Sequence, residues 1–269
     1  MNRSFARIAA GRARQSGFTL VEMAVVLVVI GLILSAVMIG RDVQRNAEYT
    51  RIRQTFVNQW AEAYNAYRQR MGVAVGDSLD HPREMVNGRN FGGNGTSLSG
   101  QDMTTVTAPP AVCNAAAGPG MARTMQADLS LITLMRQAGV ELPPGRGPGL
   151  EDRYVYQDSN GNPQEIQICF QWNRPGTPSG SGNVMVISGL TPDLARALSA
   201  GLKGAVDANS GTFRQEGIAN GVMAAGAVGA NRGSLDWTVN NTQRYAQQAN
   251  ANTFEDQVAT VVAHYRMNQ

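Results

Sequence analysis

The sequence predicts an α+β protein: one long N-terminal α-helix followed by a head built on an antiparallel β-sheet. Three observations lead there. Among the 23 residues 18–40 the only polar side chains are Thr19, Glu22 and Ser35. Over residues 43–71 the apolar side chains recur mostly every three or four positions, the period of a helix with one buried face. Farther on, residues 153–157 and 165–172 are strand-like runs joined by Asp-Ser-Asn-Gly-Asn-Pro, a hairpin with strong turn chemistry.

The apolar run sets the topology. At 1.5 Å per residue its helix is roughly 35 Å long, enough for a bilayer core of about 30 Å. Residues 1–17 hold Arg3, Arg7, Arg12 and Arg14 and no acid. The positive-inside bias keeps such a segment in the cytoplasm and puts everything after Gly40 across the membrane. A secretory signal would have a shorter apolar region and a small-residue cleavage site at its end; neither is present. Glu22 does not suit a plain anchor, because lipid penalises an ionised side chain unless a partner answers it.

Gly17-Phe18-Thr19-Leu20-Val21-Glu22 and the apolar run after it resemble the class III signal of type IV pilins and type II secretion pseudopilins. The resemblance is close over about the first 55 residues and architectural beyond them. It implies that a prepilin peptidase removes the leader, residues 1–17, after Gly17, and that the new N-terminal Phe18 is N-methylated. It also implies that Glu22 neutralises the N-terminal ammonium of a neighbouring subunit in a filament, which would supply the missing partner. Gly31 occupies the family's usual glycine position. Where many type IVa pilins have a helix-weakening proline, Ile39 and Gly40 stand here, so melting of the stem on assembly is not expected to follow the proline-bearing pattern.

Composition then bounds the rest. Removing the four leader arginines from the 23 Lys+Arg leaves 19 against 20 Asp+Glu, so the mature chain is close to neutral. The pI of about 9.1 therefore describes the precursor, and no nucleic-acid surface follows from it. Lys203 is the sole lysine. Cys113 and Cys169 are the only cysteines and both lie beyond the apolar run; an even count in an oxidising compartment favours a disulfide over two free buried thiols.

Taken in order, residues 41–72 are an amphipathic continuation of the helix, with Val43, Ala47, Tyr49, Ile52, Phe56, Trp60, Tyr64, Tyr67 and Met71 as the apolar stripe expected to face the head. Gly72 ends it. Residues 73–269 form the head. Residues 73–120, rich in Gly, Asn, Ser, Thr and Pro, read as a long connection of a functional or mobile kind; by resemblance this is the variable loop that carries subunit or partner contacts, the alternative being a disordered excursion pinned by Cys113. Residues 124–138 read as a helix capped by Thr124 and closed by Gly139. After the hairpin come a strand over 183–188 and a helix opened by Thr191-Pro192-Asp193 and running to about Val206. Residues 212–240 suggest two short strands around a Gly/Ala-rich run, with Trp237 as core anchor. Residues 253–265 read as a closing amphipathic helix with a Thr253-x-x-Asp256 cap.

The residues that could carry chemistry are few. Asp207-x-Asn209-x-Gly211 looks like part of a calcium loop, with Asp158-Ser159-Asn160 a weaker echo. The twelfth position counted from Asp207 is Ile218, not the bidentate Glu that an EF-hand needs. Some pseudopilins do bind calcium in their heads, so Asp207 and Asn209 remain weak metal candidates against the simpler reading of a helix C-terminal turn. His81 and His264 are the only histidines, and no hydrolase or nucleotide-binding motif is present; no catalysis and no cofactor are expected. The function expected from the resemblance is structural: a minor pilin, with a type II secretion pseudopilin, a major type IVb-like pilin or a membrane-tethered periplasmic binding protein as alternatives. The implied partners are other pilin or pseudopilin subunits, the prepilin peptidase and an inner-membrane assembly platform. The head would be periplasmic before assembly and part of a pilus or periplasmic filament after it.

Overall fold

The computed structural model describes residues 19–92, 102–116, 118, 121, 123–217, 236–237 and 260–267. In order, its elements are α1 (Leu20–Ile52), a π-helical turn (Arg53–Val57), α2 (Asn58–Met71), β1 (Ala111–Cys113), β2 (Met125–Ser130), α3 (Leu131–Gln137), β3 (Arg153–Gln157), β4 (Pro163–Asn173), β5 (Gly182–Leu190), α4 (Pro192–Lys203), β6 (Phe213–Gln215) and β7 (Val261–Arg266). The chain divides into two compact units after Asn46. The first is membrane-length helix, uninterrupted through Gly31 and Gly40. The second is the head, to which the remainder of the helix belongs.

Within the head the predicted stripe is the core. Tyr49, Ile52, Phe56, Trp60, Tyr64 and Tyr67 are all buried. Val43 and Ala47, expected on the same face, are exposed, so burial begins at Tyr49. The π turn adds a residue to the helical repeat and brings both Phe56 and Val57 inward, a shift that periodicity alone does not reveal. Gly72 ends the helix as expected, in the left-handed region at φ 72° with its N–H on the Arg68 carbonyl, a conformation that suits glycine.

Seven strands among the described residues form one sheet in the order β2-β1-β4-β5-β7-β6, with β3 also on β4. β1 and β2 are parallel and every other pair is antiparallel. Along β4, Ile166, Ile168, Phe170 and Trp172 join the core that contains the helix stripe. Phe170 stacks on Tyr64 at 5.0 Å and lies 6.4 Å from Trp60, while Phe56 meets Tyr154 at 5.3 Å. The intervening Gln167, Cys169, Gln171 and Asn173 are buried as well, so the second face of the sheet is also covered. Part of that cover is the segment after β1. A Cβ on Gly118 would come within 2.6 Å of the Ser188 hydroxyl and 2.8 Å of Gln167 Oε1, so a larger residue there would require these side chains to shift.

Several sequence expectations need correction. The helix expected over 124–138 is a strand followed by a short helix: residues 125–130 pair with β1, and Ser130, not Thr124, caps α3 by accepting from the Thr133 N–H. Sheet pairing overrode a weak helical propensity. The closing helix expected over 253–265 is β7 where it is described; residues 251–259, with Thr253 and Asp256, lie outside the described residues. β7 is inserted between β5 and β6 and its first four residues are buried. Buried on both faces, it lacks the period-two alternation that marks a half-exposed strand. The helix after Thr191 ends at Lys203, with Gly204 left-handed beyond it. Of the two strands expected over 212–240, β6 is one and the other falls largely outside the described residues; Trp237 is fully buried against Phe213. The long connection is ordered over residues 73–92. Asp77 accepts from the backbone of Ser78, Arg83 and Met85, while Val75, Val86 and Asn87 are buried.

The second face contains a neutral histidine. His264 on β7 is buried, with its Nδ1 2.6 Å from Ser179 Oγ and 3.1 Å from Asn173 Nδ2. Asn173 Nδ2 also donates to the Gly180 carbonyl, and its Oδ1 is held by Gln171. An amide nitrogen only donates, so Nδ1 must be an acceptor and the proton sits on Nε2. Burial, and then the charge of Arg123, push the His264 pKa down from 6.5 to about 3. The unfolded histidine binds its proton near pH 6.5 and the folded one does not, so stability is lost as pH falls below 6.5. Between pH 7 and pH 5 this group alone should cost about 2 kcal/mol. Denaturant titrations of the wild type and of His264→Gln at the two pH values should differ by that slope; equal slopes would show that His264 is not held neutral.

Candidate functional site

The start of α1 is the best candidate for a functional feature, and its geometry is local. Thr19 immediately precedes the first helical residue and Glu22 is the third residue of the helix. The Thr19 N–H donates to Glu22 Oε2 at 2.7 Å and the Thr19 hydroxyl to the same oxygen at 2.9 Å, while the Glu22 N–H reaches the Thr19 hydroxyl at 3.3 Å. This is a reciprocal capping box, which satisfies amides that a helix N-terminus leaves without partners. Both Thr19 bonds converge on Oε2; among the described residues no partner reaches Oε1. A carboxylate held in this way is preorganised and retains an acceptor for a cationic donor. Thr-x-x-Glu is legible in the sequence, but attention to Glu22 as a charge in lipid hides its role as a cap. Gly17 and Phe18 lie outside the described residues.

Behind the cap, from Met23 to Gly40, the helix is apolar apart from Ser35. Leu20, Val21, Leu27, Leu32 and Met38 are each at least 66% exposed, so over Leu20–Met38 these side chains are not covered by the described residues. The helix is long and apolar enough to cross a membrane. Its one hydroxyl within the span, Ser35, donates to the Gly31 carbonyl at 2.9 Å, which removes a free polar group from the lipid side. Lipid or other apolar helices are the surroundings that such a surface requires.

The remaining sequence candidates lie in the head. Cys113 and Cys169 form a disulfide that ties β1 to β4, with Cα atoms 4.6 Å apart. The Asp158 carboxylate is engaged inside its own turn, accepting from the Asn160 and Asn162 N–H groups and from Gln164 Nε2. Burial raises its pKa and these bonds outweigh that, leaving it below the usual carboxylate range. Asp207 and Asn209 are both buried, and the Lys203 ammonium reaches into their loop. The signal for that contact was available in the sequence as the lone lysine four residues before Asp207. No group of three His, Cys, Asp or Glu side chains with metal-binding geometry occurs among the described residues. An open groove of about 420 Å³ beside α2 is lined by Glu62, Arg70 and Glu141 among others. Arg70 is already engaged there with the Gly139 carbonyl.

Comparison with known proteins places the start of the chain. Residues 12–38 match the model of the prokaryotic N-terminal methylation motif, the prepilin signal of type IV pilins and pseudopilins. No curated protein and no solved structure matches the chain.

The cap can be tested apart from assembly. In detergent micelles, Thr19→Val should raise the hydrogen-exchange rate of the first-turn amides of α1 several-fold, and Thr19→Ser should restore it. Equal exchange in all three would show that the capping box does not hold the helix start.

Proposed function

We propose that this chain is a structural subunit of a type IV pilus or related filament, most simply a minor pilin, matured at its prepilin signal and assembled through its N-terminal helix. The observation that carries the reading is the prepilin signal over residues 12–38 joined to a membrane-length helix whose apolar side chains are exposed among the described residues. In this reading the peptidase cuts after Gly17, Phe18 becomes the methylated N-terminus, and the stem crosses the inner membrane with the head in the periplasm. Assembly exchanges lipid around α1 for the apolar faces of other stems. The Glu22 carboxylate then meets the terminal ammonium of a neighbour and sets the axial register, while Thr19 keeps that carboxylate oriented. Attraction between the two charges is strong in so apolar a setting, and an unpaired carboxylate there would be disfavoured.

A pseudopilin of a type II secretion system would use the same stem. The size of the head and its long connection after α2 favour the minor pilin. Cellular phenotype separates the two: deletion of the gene should alter piliation and leave secretion of folded proteins intact, whereas loss of secretion with normal pili would assign the chain to the secretion system.

Two substitutions test the assembly reading. Glu22→Ala should leave membrane insertion intact and cut incorporation into sheared filaments at least several-fold, and normal incorporation would remove the register role. Replacing Gly17 by a bulky residue should leave the chain at precursor size, and maturation at the usual size would contradict cleavage at this junction.

A further inference from the structure

The loop between α4 and β6 is entered by a cationic side chain of the chain itself, Lys203. Lys203 is the last residue of α4, and its side chain is only 5% exposed. Its ammonium donates to the Asp207 carbonyl at 2.5 Å and to the Ser210 carbonyl at 2.6 Å, and lies 3.4 Å from Asp207 Oδ1. Three oxygens of one short loop thus converge on a single point. Asp207 Oδ2 is buried in the same loop without a hydrogen bond, and Asn209 is buried beside it. Backbone carbonyls together with a carboxylate are the ligand set of a hard cation such as calcium.

The loop is built around this contact. Gly204 turns the chain out of α4 in the left-handed conformation, and the Ser199 hydroxyl fixes the returning backbone by donating to the Ala205 and Asp207 carbonyls. The Ala208 carbonyl accepts from the Gln215 N–H at the end of β6, which joins the loop to the sheet. Burial raises the Asp207 pKa, but the Ser210 hydroxyl and the Lys203 ammonium outweigh it and keep the carboxyl below its usual range. The site therefore holds a negative charge. A flexible four-carbon stem ending in three donors can enter so tight a ring of carbonyls, whereas the planar fork of arginine cannot. In a chain with 22 arginines the single lysine stands at this position.

We infer that residues 207–211 form a cation-binding loop whose resident cation is the Lys203 ammonium, which takes the place of a divalent metal and makes the head independent of calcium. A metal ion would compete with the ammonium for the Asp207 and Ser210 carbonyls and Asp207 Oδ1, and the ammonium would repel it. Without the ammonium, the loop offers calcium one carboxylate and several neutral oxygens, a set that fits the weak, millimolar class of sites.

Thermal unfolding of the full chain in detergent, with EDTA or with millimolar calcium chloride, tests this. The wild type should melt at the same temperature in both; a higher Tm with calcium would overturn the inference. Lys203→Ala should melt about 5–10 °C lower in EDTA and regain roughly 2–4 °C with calcium. That regain should vanish in Lys203→Ala combined with Asp207→Asn. Unchanged stability of Lys203→Ala, or a loss that calcium does not relieve, would each contradict a cation loop. If the alanine variant does not fold, Lys203→Met, which keeps the apolar stem, carries the same comparison. Acylation of the wild type by an amine-reactive ester should modify Lys203 only after unfolding, and rapid modification of the folded chain would count against the site as described.

Discussion

Burial of one aromatic stripe is the constraint on which the head depends. Residues from Tyr49 to Tyr67 on the long helix share a core with Ile166, Ile168, Phe170 and Trp172 of β4. Large aromatic side chains each bury about 150–250 Å², and the ring contacts of Phe56, Trp60 and Tyr64 bring them onto β3 and β4. The Trp60 indole N–H donates to the Glu151 carbonyl just before β3, which fixes the helix axially as well as laterally. From Leu20 to Val43 the large apolar side chains of the same helix are exposed among the described residues. Along this element the side chains pass from exposed to buried near where the sequence changes from uniformly apolar to periodic.

That switch explains why the stem and its head-bound continuation were legible in the sequence. A continuous apolar run and a period near 3.6 are statements about what surrounds a helix, and they survive in the primary structure. The hairpin was legible because its turn chemistry is local: Asp158 caps its own loop and fixes the register of β3 on β4. Residues 125–130 and β7 were misread because their state is set by distant partners. Met125 pairs with Ala111, and Val261 with Leu190, contacts that leave little trace in either segment alone. At the candidate site the resemblance pointed to Glu22, and the Thr-x-x-Glu pattern stood in the sequence; that Thr19 and Glu22 bond to each other is seen only in the side-chain geometry.

The second face of the sheet buries a polar layer whose side chains are largely bonded to one another. Asp152 is fully buried, and its carboxylate takes hydrogen bonds from Asn114 Nδ2 at 3.1 Å and Gln167 Nε2 at 3.5 Å. Burial pushes its pKa above the usual range, against the opposing effects of Asn114 and Arg153. Ser130 donates to Asn114 in turn, so the cap of α3 belongs to the same network. The disulfide joins β1 to β4 beside it, and His264, Ser179 and Asn173 close the layer on the β7 side. Partner requirements of this kind specify one packing of the strands, since a slip of one residue would strand several donors and acceptors at once.

The proposed role in a filament requires maturation at the Gly17–Phe18 junction followed by assembly through the stem. Intact mass and N-terminal peptide analysis of the chain, purified separately from membranes and from sheared filaments, tests this most directly. A mature N-terminus at methylated Phe18 in both fractions is the result predicted. An uncleaved chain confined to membranes, in cells with a working prepilin peptidase, would contradict it and leave a membrane-tethered protein whose head has some other use.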